Sequence, residues 1–235
     1  MTLNAKKLPK AAGGKRPDPL EPGSYPARLV QLIVLGIQKE RPYKGEEKAP
    51  RLNVYLTYEF LDEFLKDEDG NDQEDKPRWL SEQIPFLSLS ADKAKSTKRY
   101  FALDPDDKAD GDWSQLVGAP CVVTVVNEAD KRPGMDRIYE KISAVSAMRP
   151  KEAAKAAELK NAPKIFDFYD PDIDVFNALP DWLQEKIQSA VDYEGSKLEK
   201  LLGKAPKEDK PKPSLKEELE DEIPFDQEVE QEEDW

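Results

Sequence analysis

Arg51-Leu-Asn-Val-Tyr-Leu-Thr-Tyr-Glu-Phe60 is the stretch on which the fold turns. Leu52, Val54, Leu56, Tyr58 and Phe60 recur every second residue, with Arg51, Asn53, Tyr55, Thr57 and Glu59 between them. A period of two places one set inward and the other outward, which is a half-buried strand and not a helix. Upstream, Pro22-Gly23 introduces a long strand candidate, Ser24–Lys39. Downstream, Arg78–Phe86 is a third, interrupted by Pro85. The acid-rich interval Asp62–Pro77 reads as a solvated loop. Setting its Gly70 on the invariant glycine of a calcium loop puts Leu65 first and Lys76 twelfth, neither of which can ligate. Ser90–Leu103 has helical spacing, with Ala94, Thr97 and Phe101 inward and Lys93, Lys95, Lys98 and Arg99 outward. A short turn near Trp113–Val117 leads through Gly118 into strand Ala119–Val126. Met135–Ala147 is a fifth strand after the loop Asn127–Gly134. A mainly β chain of five strands, with a helix between the third and fourth, has the element order of the OB-fold, a small five-stranded barrel.

The charge is unevenly placed. The 235 residues carry 36 Lys+Arg and 49 Asp+Glu, a net charge of -13, which by itself speaks against a nucleic-acid partner. Residues 1–51, however, hold 11 basic and 5 acidic side chains, whereas residues 214–235 hold 11 acids and one Lys. Like charges in a run repel and resist packing, so the end reads as an interaction tail. The chain divides into a flexible basic arm (1–21), an OB-fold domain (22–149), a helical extension (150–202), a Pro/Lys linker (203–213) and the acidic tail (214–235). In the extension, residues 151–160 are Ala/Lys/Glu-rich. Trp182, Leu183, Ile187 and Val191 form a stripe opened by Pro180-Asp181, and beyond Gly195 Leu198, Leu201 and Leu202 continue it. So short an amphipathic segment needs something to pack on, either the barrel or a partner.

Several chemistries lack their residues. There is no His and one Cys, which excludes His-dependent triads, zinc sites built on His or several Cys, and an internal disulfide. Cys121 lies in Cys-Val-Val-Thr-Val-Val, the context of an inert core thiol. No phosphate-binding glycine loop occurs, so nucleotide hydrolysis has no support, and a metal nuclease would require carboxylates clustered on strands, none of which are visible; no cofactor and no enzymatic activity are expected. No apolar run approaches the length that crosses a bilayer, and Met1-Thr-Leu-Asn-Ala-Lys-Lys has no apolar leader. A reducing cytoplasm is the expected compartment.

What the residues do offer is cations interleaved with rings. The first hairpin loop carries Lys39, Arg41, Tyr43, Lys44, Lys48 and Arg51; the last brings Lys131, Arg132 and Arg137, with Tyr139 following on the strand. In an OB-fold these loops border the oligonucleotide face. Binding a single strand without reading sequence takes cations for phosphates and flat rings for bases. Tyr43, Tyr55, Trp79 and Tyr139 are the candidate rings, with Arg78 beside Trp79. Each ring competes with a scaffold role in a small barrel. In the tail, Ile223-Pro224-Phe225 and Asp234-Trp235 are apolar anchors set in acid, suited to a partner pocket ringed by Lys and Arg.

Pro22-Gly-Ser-Tyr-Pro-Ala-Arg-Leu-Val-Gln-Leu-Ile-Val-Leu-Gly36, Leu56-Thr-Tyr-Glu-Phe60, Leu116-Val-Gly-Ala-Pro-Cys-Val-Val-Thr-Val125 and Tyr139-Glu-Lys-Ile-Ser-Ala-Val145 resemble the single-stranded DNA-binding proteins of tailed phages. The likeness covers roughly residues 22–149 and the character of the tail. It implies an OB core that coats single-stranded DNA during replication, recombination and repair in the cytoplasm of an infected bacterium. It further implies a monomer or homodimer whose tail recruits a polymerase, helicase or primase. Glu220-Asp-Glu-Ile-Pro-Phe225 is also similar to the tip of bacterial single-stranded DNA-binding proteins, but here ten residues follow it. Either Ile223–Phe225 or Asp234–Trp235 can then be the anchor, and the phage likeness favours the second. The alternative of another class is an acidic DNA mimic that sequesters a host nucleic-acid-binding protein, which would have no use for Lys/Arg-rich loops.

Overall fold

A computed structural model describes residues 17–40, 42, 45–67, 69–130 and 137–203. The expectations for the basic arm up to residue 16, most of the linker and the acidic tail fall outside those residues. The described chain is mainly β: β1 (Gly23–Gln38), β2 (Arg51–Lys66), β3 (Asp72–Pro85), β4 (Pro120–Ala129), β5 (Ile138–Ala147) and β6 (Lys164–Phe166) share one sheet. The order is β3-β2-β1-β4-β5, with antiparallel neighbours throughout, and β6 joins β1 in parallel. Its two ends, β3 and β5, are not paired with each other, so the sheet is open. Helix α1 (Lys95–Leu103) and a 3₁₀ turn (Trp113–Leu116) lie between β3 and β4. Helices α2 (Pro150–Ala153), α3 (Ile173–Asn177), α4 (Asp181–Gln188) and α5 (Lys197–Leu202) follow β5.

β1 organises the sheet. Its first half pairs with β4, Gly23 opposite Val125 through Arg28 opposite Pro120. On the same edge its second half takes β6, Gln31 to Ile33 beside Lys164 to Phe166. The other edge carries β2 along nearly its whole length. A register shift between Leu29 and Gln31 inserts Val30 as an extra residue, and a bulge of this kind changes which parity faces which side. Ala27, Leu29 and Leu32 therefore enter one core with Val54, Leu56, Tyr58, Phe60, Cys121, Val123 and Val125. Ile33 and Leu35 enter another with Tyr55, Phe166, Phe168, Phe176, Leu183, Ile187 and Leu198. A strand covered on both faces reads as continuous hydrophobic sequence, and Leu29–Leu35 does so except at Gln31. Gly36 ends this crowded stretch at φ 75°, where a Cβ would come within 2.9 Å of both Ala190 Cβ and Asp192 Oδ1.

Three expectations need correcting. The interval Asp62–Pro77 is not a loop: β2 continues to Lys66 and β3 starts at Asp72, leaving a turn in which Asp67 Oδ1 accepts from Asp69 N at 3.0 Å and Asn71 N at 2.8 Å. Those carboxylates project from a two-stranded ribbon, and a ribbon with polar side chains on both faces gives no alternation to read. On α1, Arg99 is buried and Phe101 is exposed, the reverse of the expected facing. The inward residues are Ser96, Thr97, Arg99, Tyr100, Ala102 and Leu103. The helix expected at 151–160 is only the single turn of α2.

Candidate nucleic-acid interface

The outward face of β2 is not open. Tyr55, expected in a groove, is 8% exposed and packs edge-on against Trp182 of α4, ring centroids 5.5 Å apart. A ring held there cannot stack on a base, which corrects the expectation for Tyr55. Thr57 Oγ1 pairs with Ser81 Oγ at 2.9 Å and donates to Gln31 Oε1 at 3.2 Å. Glu59, also buried, accepts from Lys160 N at 2.6 Å, Asn161 N at 3.1 Å and Asn161 Nδ2 at 2.6 Å. The segment after β5 thus runs across this face. Arg28 of β1 secures the same segment: Nε donates to Ala157 O at 2.8 Å, Nη2 to Ala156 O at 3.2 Å, and Nη1 to Gly118 O at 2.7 Å.

What stays accessible lies along the seam between β3 and β5. Arg78 of β3 reaches across it to Glu140 of β5, Nη2 to Oε1 at 2.8 Å, and Glu140 also accepts from Leu20 N at 2.7 Å. Arg78 is largely buried, so its charge is matched inside the seam and it does not project as a free cation. Side chains alternate along a strand, so the neighbours of this pair, Trp79 and Tyr139, turn to the other face on either side of the gap. Trp79 is 54% exposed, the most exposed large hydrophobic side chain among the described residues. Tyr139 is half-buried; its hydroxyl donates to Asp130 Oδ2 at 3.0 Å and Arg137 lies 4.6 Å above its ring. A guanidinium over a phenol ring is an attractive cation–π contact that also fixes the ring plane.

The other expected cations that fall among the described residues lie away from this seam. Lys39 and Arg51 are exposed and Lys48 is half-buried at the β1–β2 end of the sheet. Arg51 is eight residues from Glu59, which pairs with Trp79, so about 26 Å of strand separates that end from the seam. Arg41, Tyr43, Lys44, Lys131 and Arg132 fall outside the described residues, as do Ile223, Pro224, Phe225, Asp234 and Trp235 of the tail. No family model, curated protein or solved structure matches the chain.

The residues missed from sequence are Arg28, Glu59 and the segment they hold. One signal was available: Glu59 is the only acid in the alternating run Arg51–Phe60, where a charge is tolerated only if something answers it. Cys121 is fully buried in the first core, and burial pushes its thiol up to about 12. Among the described residues, no three His, Cys, Asp or Glu side chains cluster as metal ligands, and no helix is long and apolar enough to cross a membrane.

Proposed function

We propose that this chain is a non-enzymatic single-stranded DNA-binding protein of the phage type, with an OB-fold core and an acidic tail that recruits replication proteins. The observation that carries the reading is the exposed indole of Trp79 across the seam from Tyr139, itself stacked by Arg137. Rings of this kind beside cations suit bases and phosphates of any sequence, since every base offers a π-face. The strand order, with β1 between β2 and β4 and α1 between β3 and β4, supports an OB-type core, since pairing β3 with β5 would complete its five-stranded barrel. In place of a β3–β5 ladder stands the Arg78–Glu140 bridge. The bulk charge of -13 does not oppose this, because 11 of the acids belong to residues 214–235.

The deciding experiment measures binding of labelled single-stranded DNA, duplex DNA and RNA across a salt series. A preference for single-stranded DNA that weakens steeply with salt supports the proposal. Equal indifference to all three, with capture of a basic protein instead, would favour the DNA-mimic alternative.

A further inference from the structure

We infer that the segment Ala156–Asn161 is one wall of the strand-binding site, with Lys160 as a phosphate-contacting cation beside Trp79; this deepens the function proposed above and rests on it. Two charged side chains, both nearly withdrawn from solvent, are committed to holding this segment. Arg28 takes the carbonyls of Ala156 and Ala157, and Glu59 takes the amides of Lys160 and Asn161. Burying a charge is costly unless its bonds are met, so a backbone held at both ends by such groups has one position on the sheet. That position is defined by register. Arg28 pairs with Glu59 across β1–β2, and Glu59 pairs with Trp79 across β2–β3, which sets the three in one row.

Directly opposed residues in such a row are about 5 Å apart. Lys160, whose amide donates to Glu59 Oε1 at 2.6 Å, thus lies over the residue that pairs directly with Trp79. Its own side chain is exposed, while the Glu59 carboxylate beneath is turned to the three donors. The one acid of the segment, Glu158, lies 3.5 Å from Arg28 Nη2 and is partly neutralised there. A ring and an ammonium at this spacing match one nucleotide: the base on Trp79 and its phosphate on Lys160. The extension then does two things at once. It closes the face that Tyr55 would have offered, and it moves the site to the edge where Trp79 is exposed.

The test uses the full-length chain and labelled oligothymidylate. Lys160→Gln should weaken binding about three- to tenfold and lower the slope of log affinity against log salt by about 0.7, the value of one lost phosphate contact on a single strand. Lys160→Arg should keep both, and Lys200→Gln, on the exposed side of α5, should change neither. Trp79→Ala should lose about tenfold or more without altering that slope. Wild-type binding with an unchanged slope in Lys160→Gln, or equal losses for Lys160→Gln and Lys200→Gln, overturns the inference and leaves the proposed function standing. No single-strand binding by the wild type overturns the proposed function itself.

Discussion

Arg99 of α1 grips Glu82 of β3 with two parallel bonds, Nε to Oε1 at 2.7 Å and Nη2 to Oε2 at 3.1 Å, and both side chains are at most 5% exposed. Tyr58 adds its hydroxyl to the same carboxylate at 3.4 Å. The helix between the third and fourth strands is therefore fastened to the sheet by a charge pair as well as by packing. Removing one member strands the other. Arg99→Met should cost about 3–5 kcal/mol in urea unfolding, while the double change Arg99→Met with Glu82→Leu should recover much of that, because a paired apolar replacement leaves no uncompensated charge. Equal losses in the single and double variants would contradict this account.

Glu59 is the second anchor, and its chemistry makes a narrow prediction. In Glu59→Gln one carboxylate oxygen becomes an amide nitrogen that only donates, so the side chain can no longer accept from Lys160 N on one side and from Asn161 N and Nδ2 on the other. The expected cost is about 1–3 kcal/mol. Amide hydrogen exchange should show Lys160 and Asn161 losing protection before β1 and β2 do. Protection lost uniformly across the sheet would argue that Glu59 supports the core and not the crossing segment.

The buried thiol predicts a pH dependence. Burial pushes Cys121 up to about 12 in the folded chain, against about 8.5 for an exposed Cys. Its proton is held more tightly in the folded state, so its contribution is complete below about pH 8.5 and declines as pH rises toward 12. The urea midpoint should fall between pH 8.5 and 10, and Cys121→Ala should flatten that fall. Burial raises Tyr58, Tyr100 and Tyr169 in the same sense, but their effect sets in only near the unfolded tyrosine value of about 10, at the upper edge of this window. A slope unchanged by Cys121→Ala would assign it to another group.

On the proposed function, deleting residues 214–235 removes 11 acids and one Lys. Affinity for single-stranded DNA should rise about tenfold near 50 mM salt, and the gain should shrink by 300 mM as screening shortens to about 6 Å. Titration by fluorescence anisotropy measures both. A gain independent of salt would point away from electrostatics.

The strands were legible because alternation in residues 51–60 and 119–126 reports a half-buried sheet whatever else the chain does. Arg99 was misplaced for a definite reason: helical spacing put it beside Tyr100 and Leu103, but a positive charge is ordinarily outside unless an acid waits within, and Glu82 is far off in sequence. Tyr55 reads as lying on an open face because a sequence shows that a strand has two sides, not what lies on them. The stripe of Leu183 and Ile187 announced a surface needing cover without saying which. Lys164-Ile-Phe166 is too short for any period to show, and only its edge-on contact with β1 makes it a strand. For the candidate site, Trp79 could be read as outward from its place beside Leu80, whereas Lys160 gains meaning only from the carboxylate beneath it.

The edge that β1 shares between β4 and β6 bears on how this chain is made and handled. During synthesis β1 emerges early, but the residues that complete its edge at Gln31–Ile33 emerge near the end of the described chain. Until then a run of unpaired backbone groups, flanked by Ile33 and Leu35, is bare to any neighbouring strand, which is how nascent chains stick to one another. A version cut back to residue 149 would keep that exposure permanently. It would look like a tidy minimal domain on paper and would precipitate in the tube.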